Sequence, residues 1–224
     1  WGEKIIPKLS ETDCGVIGFA GTTARISALC GIGLSRAHWR SNYIQHMNKG
    51  GMKSCFKNPD RVEFSPVVSV DGMCLFVSRK VWQEVRFDEK TFPNFHLYDL
   101  DFTTAVFRAG YINYICNTVI VEHFSEGYYT QEWLAATIDF NNKWRGALPL
   151  YVSGFPCIKN LDRYVRSREF RFIKAMMKSR GKCSWELIDG LCRQYYRKYP
   201  FYRSIVVWFH AYRYRKRWKR EGRL

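Results

Sequence analysis

The chain has 224 residues, 46% of them hydrophobic and 17% aromatic, which is enough to build a core and excludes wholesale disorder. The longest apolar run near the C-terminus, Ile205 to Phe209, is far short of the ~20 residues that cross a bilayer, and no other stretch does better, so no membrane span is expected. The formal net charge is +16, and so large an excess seeks anions: phosphate backbones, anionic lipid or an acidic partner.

In chain order, Trp1 to Glu11 reads as a helix or the end of one. Cys14 to Gly21 is an apolar run punctuated by glycine, a buried strand leading into a loop. Gly31-Ile32-Gly33 is a weak echo of a phosphate loop without its third glycine. Residues 35–60 are polar and read as a long loop with room for one hairpin. Val62 to Val70 reads as a strand and Asp71-Gly72 as a turn. Ser78 then caps a short helix through Val85. Leu100 to Ala109 places Phe102, Ala105, Val106 and Ala109 on one helical face, with Gly110 as the stop. Tyr111 to Val121 is β-branched and aromatic, hence a strand, with His123 to Gly127 as the loop after it. Gln131 to Lys143 reads as a helix that ends before Pro149.

From Asn160 onward the pattern is helical, basic and aromatic, with breaks at Gly181 and Pro200. Residues 159–224 hold 20 Lys+Arg against 5 Asp+Glu, leaving 16 against 15 for the first 158. The expected division is therefore a nearly neutral body over 1–158 and a basic helical extension over 159–224. Within 201–220, Arg203, His210, Arg213, Arg217 and Arg220 share one helical face, and Phe201, Ile205, Trp208 and Tyr212 another. Three readings of this tail stay open. It anchors on an anionic membrane surface, it binds nucleic acid (the less favoured partner, since no recognised motif accompanies it), or it packs its aromatics on the body. The eight cysteines show no C-x-x-C and several lie in apolar runs, so free buried thiols are expected rather than disulfides or a zinc site.

The stretch with chemical content runs from Asp71 to His123. Asp71 stands on a strand-end turn, Asp99 and Asp101 at a helix start, and His123 after the next strand. Helix starts present amides, and strand ends are where open sheets bind ligands. Convergence of these groups on one cleft competes with the plainer reading of Asp99 as a helix cap and Asp71 as a turn residue.

Val70-Asp71-Gly72-Met73-Cys74-Leu75-Phe76-Val77-Ser78, Phe87-Asp88-Glu89, Phe95-His96-Leu97-Tyr98-Asp99-Leu100-Asp101, Arg108-Ala109-Gly110-Tyr111, His123-Phe124-Ser125, Lys143-Trp144 and Leu148-Pro149 follow one another in an order that resembles the C-terminal half of a family-2-like glycosyltransferase of the GT-A fold. The resemblance covers roughly Asp13 to Pro149 and leaves out the basic tail. It implies an α/β fold with a mostly parallel sheet and flanking helices. It also implies inverting transfer of a sugar from a nucleotide-sugar donor to a glycan or lipid-linked acceptor, as in bacterial surface polysaccharide synthesis. Asp99 then matches the general base. Tyr98 stands where many relatives carry Glu, a departure common in the bacterial subgroup that the chain looks closest to. Asp71 and Gly72 match the lining of the sugar pocket, Asp101 a residue orienting the helix or the acceptor, and His123 a ligand to Mg²⁺ or Mn²⁺ or a contact to the donor diphosphate. A cytoplasmic protein, peripheral at the inner face of the membrane, is expected where the tail's membrane reading meets a lipid-linked acceptor. Trp1 would fall just after the family's Asp-x-Asp motif, so the donor-nucleotide half is expected to precede it. Asp99-Leu100-Asp101 is itself a D-x-D string, and reading it as the metal motif of a complete chain is the alternative. A further alternative is a non-catalytic module whose tail holds anionic membrane or nucleic acid.

Overall fold

The computed structural model describes residues 1–30, 37–125, 127, 130–154, 157–178, 183–199 and 202–224. The possible phosphate loop at Gly31-Ile32-Gly33 and the side chains of Phe201 and Arg203 lie outside the described residues. The chain divides into two compact units, one made of 1–27, 31–127 and 142–157, the other of 28–30, 128–141 and 158–224.

The first unit opens with α1 (Gly2–Leu9), followed by the short strands β1 (Cys14–Gly18), β2 (Ala20–Thr22) and β3 (Ala24–Arg25). The polar stretch expected as a loop is largely a hairpin, β4 (Trp39–His46) and β5 (Met52–Lys57), turned through Gly50 and Gly51, both at positive φ. The expected strand over 62–70 is two, β6 (Phe64–Val67) and β7 (Ser69–Val70). β8 (Phe76–Val77) leads into α2 (Arg79–Glu84), where the Ser78 hydroxyl accepts from the Val81 N–H as expected. α3 (Tyr98–Arg108) is followed by β9 (Ile112–Cys116) and β10 (Val121–His123), so His123 ends a strand rather than lying in a loop. The end of α4 (Gln131–Trp144), from Asn142 on, and β11 (Leu150–Tyr151) complete this unit.

The architecture is mixed α/β. One sheet has the order β6-β9-β1-β8, a second β10-β4-β2-β7 with β5 also on β4, and β11 pairs with β3. The expectation of a mostly parallel sheet is corrected here. Among the described residues only β1–β9 and β10–β4 run parallel, and the other pairs are antiparallel. The reason is length: strands of two to eight residues joined by short turns return beside themselves, whereas each parallel pair needs a long crossover.

β1 is buried along its whole length because both faces of its sheet are covered. Cys14 and Ile17 pack with Ile5 of α1, Phe19 and Tyr114, while Val16 packs with Val81, Phe102, Val106 and Tyr111. Strict alternation would put 14 and 16 on one face. The register against β9 shifts between Cys14 and Ile17, a bulge that reverses the faces. A bulge leaves a ladder N–H without its strand partner, and here the Asn113 side chain supplies one. Asn113 Oδ1 accepts from Val16 N at 3.0 Å, while its Nδ2 donates to Val68 O at 2.9 Å and to Thr103 O at 2.7 Å. Gly15 leaves the room, since a Cβ there would lie 2.7 Å from Asn113 Oδ1.

The second unit consists of α5 (Leu161–Lys178), α6 (Trp185–Lys198) and α7 (Tyr202–Arg220), with Leu134 of α4 in the same core. Phe172, Ile173, Met176 and Met177 of α5 meet Trp185, Ile188, Leu191, Cys192 and Tyr195 of α6, and Val207 and Trp218 of α7. Leu134 explains why 128–141 group with the tail, whereas the sequence division placed them in the body. None of the eight cysteines is joined in a disulfide, and Cys14, Cys30, Cys116, Cys183 and Cys192 are buried. Among the described residues no helix is long and apolar enough to cross a membrane.

Asn113→Ala strands the Val16 N–H and removes a donor from the Val68 and Thr103 carbonyls at once. It is expected to cost about 2–4 kcal/mol of stability, read as a lowered urea midpoint; a change under about 0.5 kcal/mol would remove Asn113 from this role.

Candidate functional site

The sequence candidates divide into three places. Asp71, Gly72, Tyr98 and Asp99 come together where β7 ends and α3 begins. β7 delivers the turn: Asp71 N donates to Ala20 O across the sheet, and Asp71 Oδ1 accepts from Met73 N at 3.2 Å. α3 delivers Asp99 in its first turn. The cap position is Leu97, with no side-chain capping bond, so Asp99 is not the cap. Its Oδ2 instead accepts from Gly72 N at 2.7 Å. Only glycine fits opposite, because a Cβ at position 72 would lie 2.8 Å from Asp99 Cβ.

α3 is seated on β7 by its own hydroxyls. Thr103 Oγ1 accepts from Val70 N at 3.1 Å and donates to Asp99 O at 2.8 Å, and the Ser69 and Thr104 hydroxyls bond at 3.0 Å. Leu97 is buried and held at φ 63, in the left-handed region. That conformation costs a branched residue roughly 1–2 kcal/mol, and such strain concentrates at functional sites.

Burial pushes the Asp99 carboxyl up, the neighbouring Asp71 charge adds to it, and the amides of Leu100, Gly72 and Asp99 itself partly offset both; the result is a pKa of about 6. Burial also raises Asp71, against the Met73 amide. Tyr98 is raised by burial and then by the charges of Asp99 and Asp71. Its ring lies against Phe87 and Phe95 at centroid distances of 5.6 and 6.2 Å. Of the two phenylalanines before α3, Phe92 is 5% exposed and Phe95 77%.

Asp101 is elsewhere. It is 1% exposed, with Oδ2 accepting from Lys143 Nζ and Oδ1 from Trp144 Nε1, both at 2.8 Å. Lys143 Nζ also reaches Asp88 Oδ2 at 2.8 Å. Burial raises Asp101 while Lys143 and Trp144 pull it down; the half-buried Asp88, paired with the same ammonium, is held well below the usual carboxylate range. Asp101 thus ties the end of α4 to α3. The carboxylates of Asp99-Leu100-Asp101 are held by different partners, which does not suit a D-x-D metal pair.

His123 is reached through a residue that the sequence reading placed in a loop. Tyr43 of β4 lies edge-on to His123 at 6.1 Å. Burial raises Tyr43 strongly, with a bond to the Cys55 thiol and the Asp71 charge adding. Tyr43 therefore packs on His123 and also feels the Asp71 charge. His123 Nδ1 is engaged by Gln45 Oε1 at 2.9 Å, and burial lowers its pKa, favouring the neutral ring. Among the described residues no three His, Cys, Asp or Glu side chains gather so as to hold a metal ion. His123 alone does not make the Mg²⁺ or Mn²⁺ site that the resemblance implies. The hairpin signal at Gly50-Gly51, between segments alternating through Tyr43 and Cys55, was the one clue to Tyr43.

No protein-family model, no curated protein and no solved structure matches the chain.

Two predictions follow from these electrostatics. Lys143→Met leaves the Asp101 charge buried with one neutral donor, and is expected to cost about 3 kcal/mol at pH 7; an unchanged thermal midpoint would contradict the pairing. Asp99 binds its proton more tightly folded than unfolded, so its contribution to stability falls as pH rises from about 4 through about 6. Asp99→Asn is then expected to stabilise the protein by roughly 1–3 kcal/mol at pH 7 and hardly at all at pH 4; equal effects at both pH values would refute the raised pKa.

Proposed function

We propose that the chain is the acceptor-side part of an inverting glycosyltransferase, with Asp99 as its general base. The observation that carries the reading is a carboxylate poised near neutrality. Asp99 is pushed up to about 6 in a half-buried turn beside Asp71, with one oxygen pinned by the Gly72 amide. A base works best when its pKa lies near the working pH.

In this reading an acceptor hydroxyl gives its proton to Asp99 as its oxygen attacks the anomeric carbon. The bond from that carbon to the nucleotide diphosphate breaks in the same step, so one direct displacement inverts the centre and the diphosphate leaves with the bonding pair. Asp71 and the Gly72 backbone line the sugar pocket. Phe95, exposed, and Tyr98, half-buried, offer flat apolar faces to a sugar ring. The neutral His123 and, beside it, Tyr43, which feels the Asp71 charge, add hydrogen-bonding groups. The ordered likeness from Val70 to Ser125 supports the same assignment, and with it a nucleotide-sugar donor and a glycan or lipid-linked acceptor. A divalent metal would assist the leaving diphosphate by neutralising its charge; no step here is routed through one, because the described residues do not form its site.

The test is sugar transfer from a panel of nucleotide sugars, measured on the polypeptide as its source cells make it. Asp99→Asn should lower turnover by about 10²–10⁴ while the circular dichroism spectrum stays native, and the wild-type rate should rise with pH through about 6. A variant with near-normal turnover would end the assignment.

A further inference from the structure

We infer that the outward face of α7 seats the protein on an anionic lipid bilayer. The inference is independent of the chemistry assigned to Asp99, and binding and transfer are read separately. The sequence reading expected Ile205, Trp208 and Tyr212 to form the helix's apolar face, and the basic residues another. The structure shows a third face doing the packing. Val207, Ala211, Tyr214 and Trp218, spaced four, three and four residues apart, turn into the core of the second unit. The face away from that stripe keeps its large apolar side chains in water. Ile205 is 64% exposed, Trp208 58%, Phe209 50% and Tyr212 46%, with Val206 beside them at 39%. Five such side chains within eight residues form a contiguous apolar patch, which marks an interaction surface rather than scattered exposure.

The chemistry of the occupant follows from what surrounds the patch. Arg213, Arg215, Lys216, Lys219 and Arg220 are all exposed over the next two turns, and no acidic residue occurs between Asp189 and Glu221. Aromatics and cations are already in register: Trp208 stacks on Tyr212 at 5.7 Å and 10°, Lys216 Nζ lies 4.8 Å from the Tyr212 ring, and the Arg213 guanidinium 5.7 Å from Phe209. A bilayer interface offers this pair of environments side by side, hydrocarbon for the apolar turns and anionic headgroups for the cationic ones. Ile205 and Val206 decide against nucleic acid. Aliphatic side chains have no π face on which bases stack, and a phosphate backbone gives them nothing to displace water with.

The experiment is cosedimentation of the 224-residue chain with vesicles of phosphatidylcholine alone, or mixed with phosphatidylglycerol, with tryptophan emission as a second signal. Binding to the mixed vesicles is expected to be at least about tenfold tighter, with a blue-shifted emission and a part that survives high salt. Trp208→Ser/Phe209→Ser should lose the salt-resistant part, and Lys216→Gln/Lys219→Gln the salt-sensitive part. Trp208→Phe should restore binding to any fold-intact background. Equal binding to both vesicles, or none, would overturn the inference. So would binding of a single-stranded oligonucleotide without vesicle binding, and so would self-association abolished by Trp208→Ser/Phe209→Ser in a chain that ignores vesicles.

Discussion

One buried amide sets the geometry of the first unit. Asn113 meets one backbone group from each of three places: the bulged β1, the break between β6 and β7, and the middle of α3. The bulge and the break each cost free energy unless their polar groups are satisfied. One side chain with one acceptor and two donors satisfies all three, and in doing so fixes where α3 lies against β7. Thr103 carries the constraint one step further, from Val70 N to Asp99 O. The position of the Asp99 carboxylate is thus a consequence of packing more than ten residues away.

The site is built against stability. Burial and the Asp71 charge raise the Asp99 carboxyl, Leu97 is held left-handed to start the helix, and position 72 admits no side chain. A fold optimised only for stability would neutralise one carboxylate and relax the turn. Asp101, two residues on, shows the alternative treatment of an acid in the same helix: it is fully withdrawn from water but held by Lys143 and Trp144. The contrast between a paired carboxylate and a tightly hemmed, unneutralised one separates a positioning residue from a candidate base.

The second unit is assembled by different means. Its helices meet through apolar side chains, with the half-exposed Lys198 reaching the buried Glu169 at 2.7 Å. In α7 the inward stripe uses about a third of the circumference. The rest is left to carry a charge and an apolar surface that the fold itself does not need, and this separates the stabilising role of Val207 and Trp218 from the exposed role of Trp208 and Phe209.

Local signals in the sequence determined a good deal. The Ser78 cap, the α3 boundaries near Leu100 and Gly110, the helix over Gln131 to Lys143 and the helical tail all follow from periodicity and capping, which are short-range properties. So did the placing of Asp71 on a strand-end turn and of Asp99 at a helix start, because both can be read from neighbours alone, whereas Tyr98 became a candidate only through the resemblance. Tertiary structure decided the rest. Strand pairing set the antiparallel majority, since direction depends on which segments meet. A bulge reversed the faces of β1, and no pattern of two reveals an extra residue. Tyr43 entered the site only when the hairpin brought β4 beside β10. Helical spacing gathered Ile205, Trp208 and Tyr212 on one face of α7 but could not say which face the core would take. That choice rests on complementarity with α5 and α6, and it is made in three dimensions.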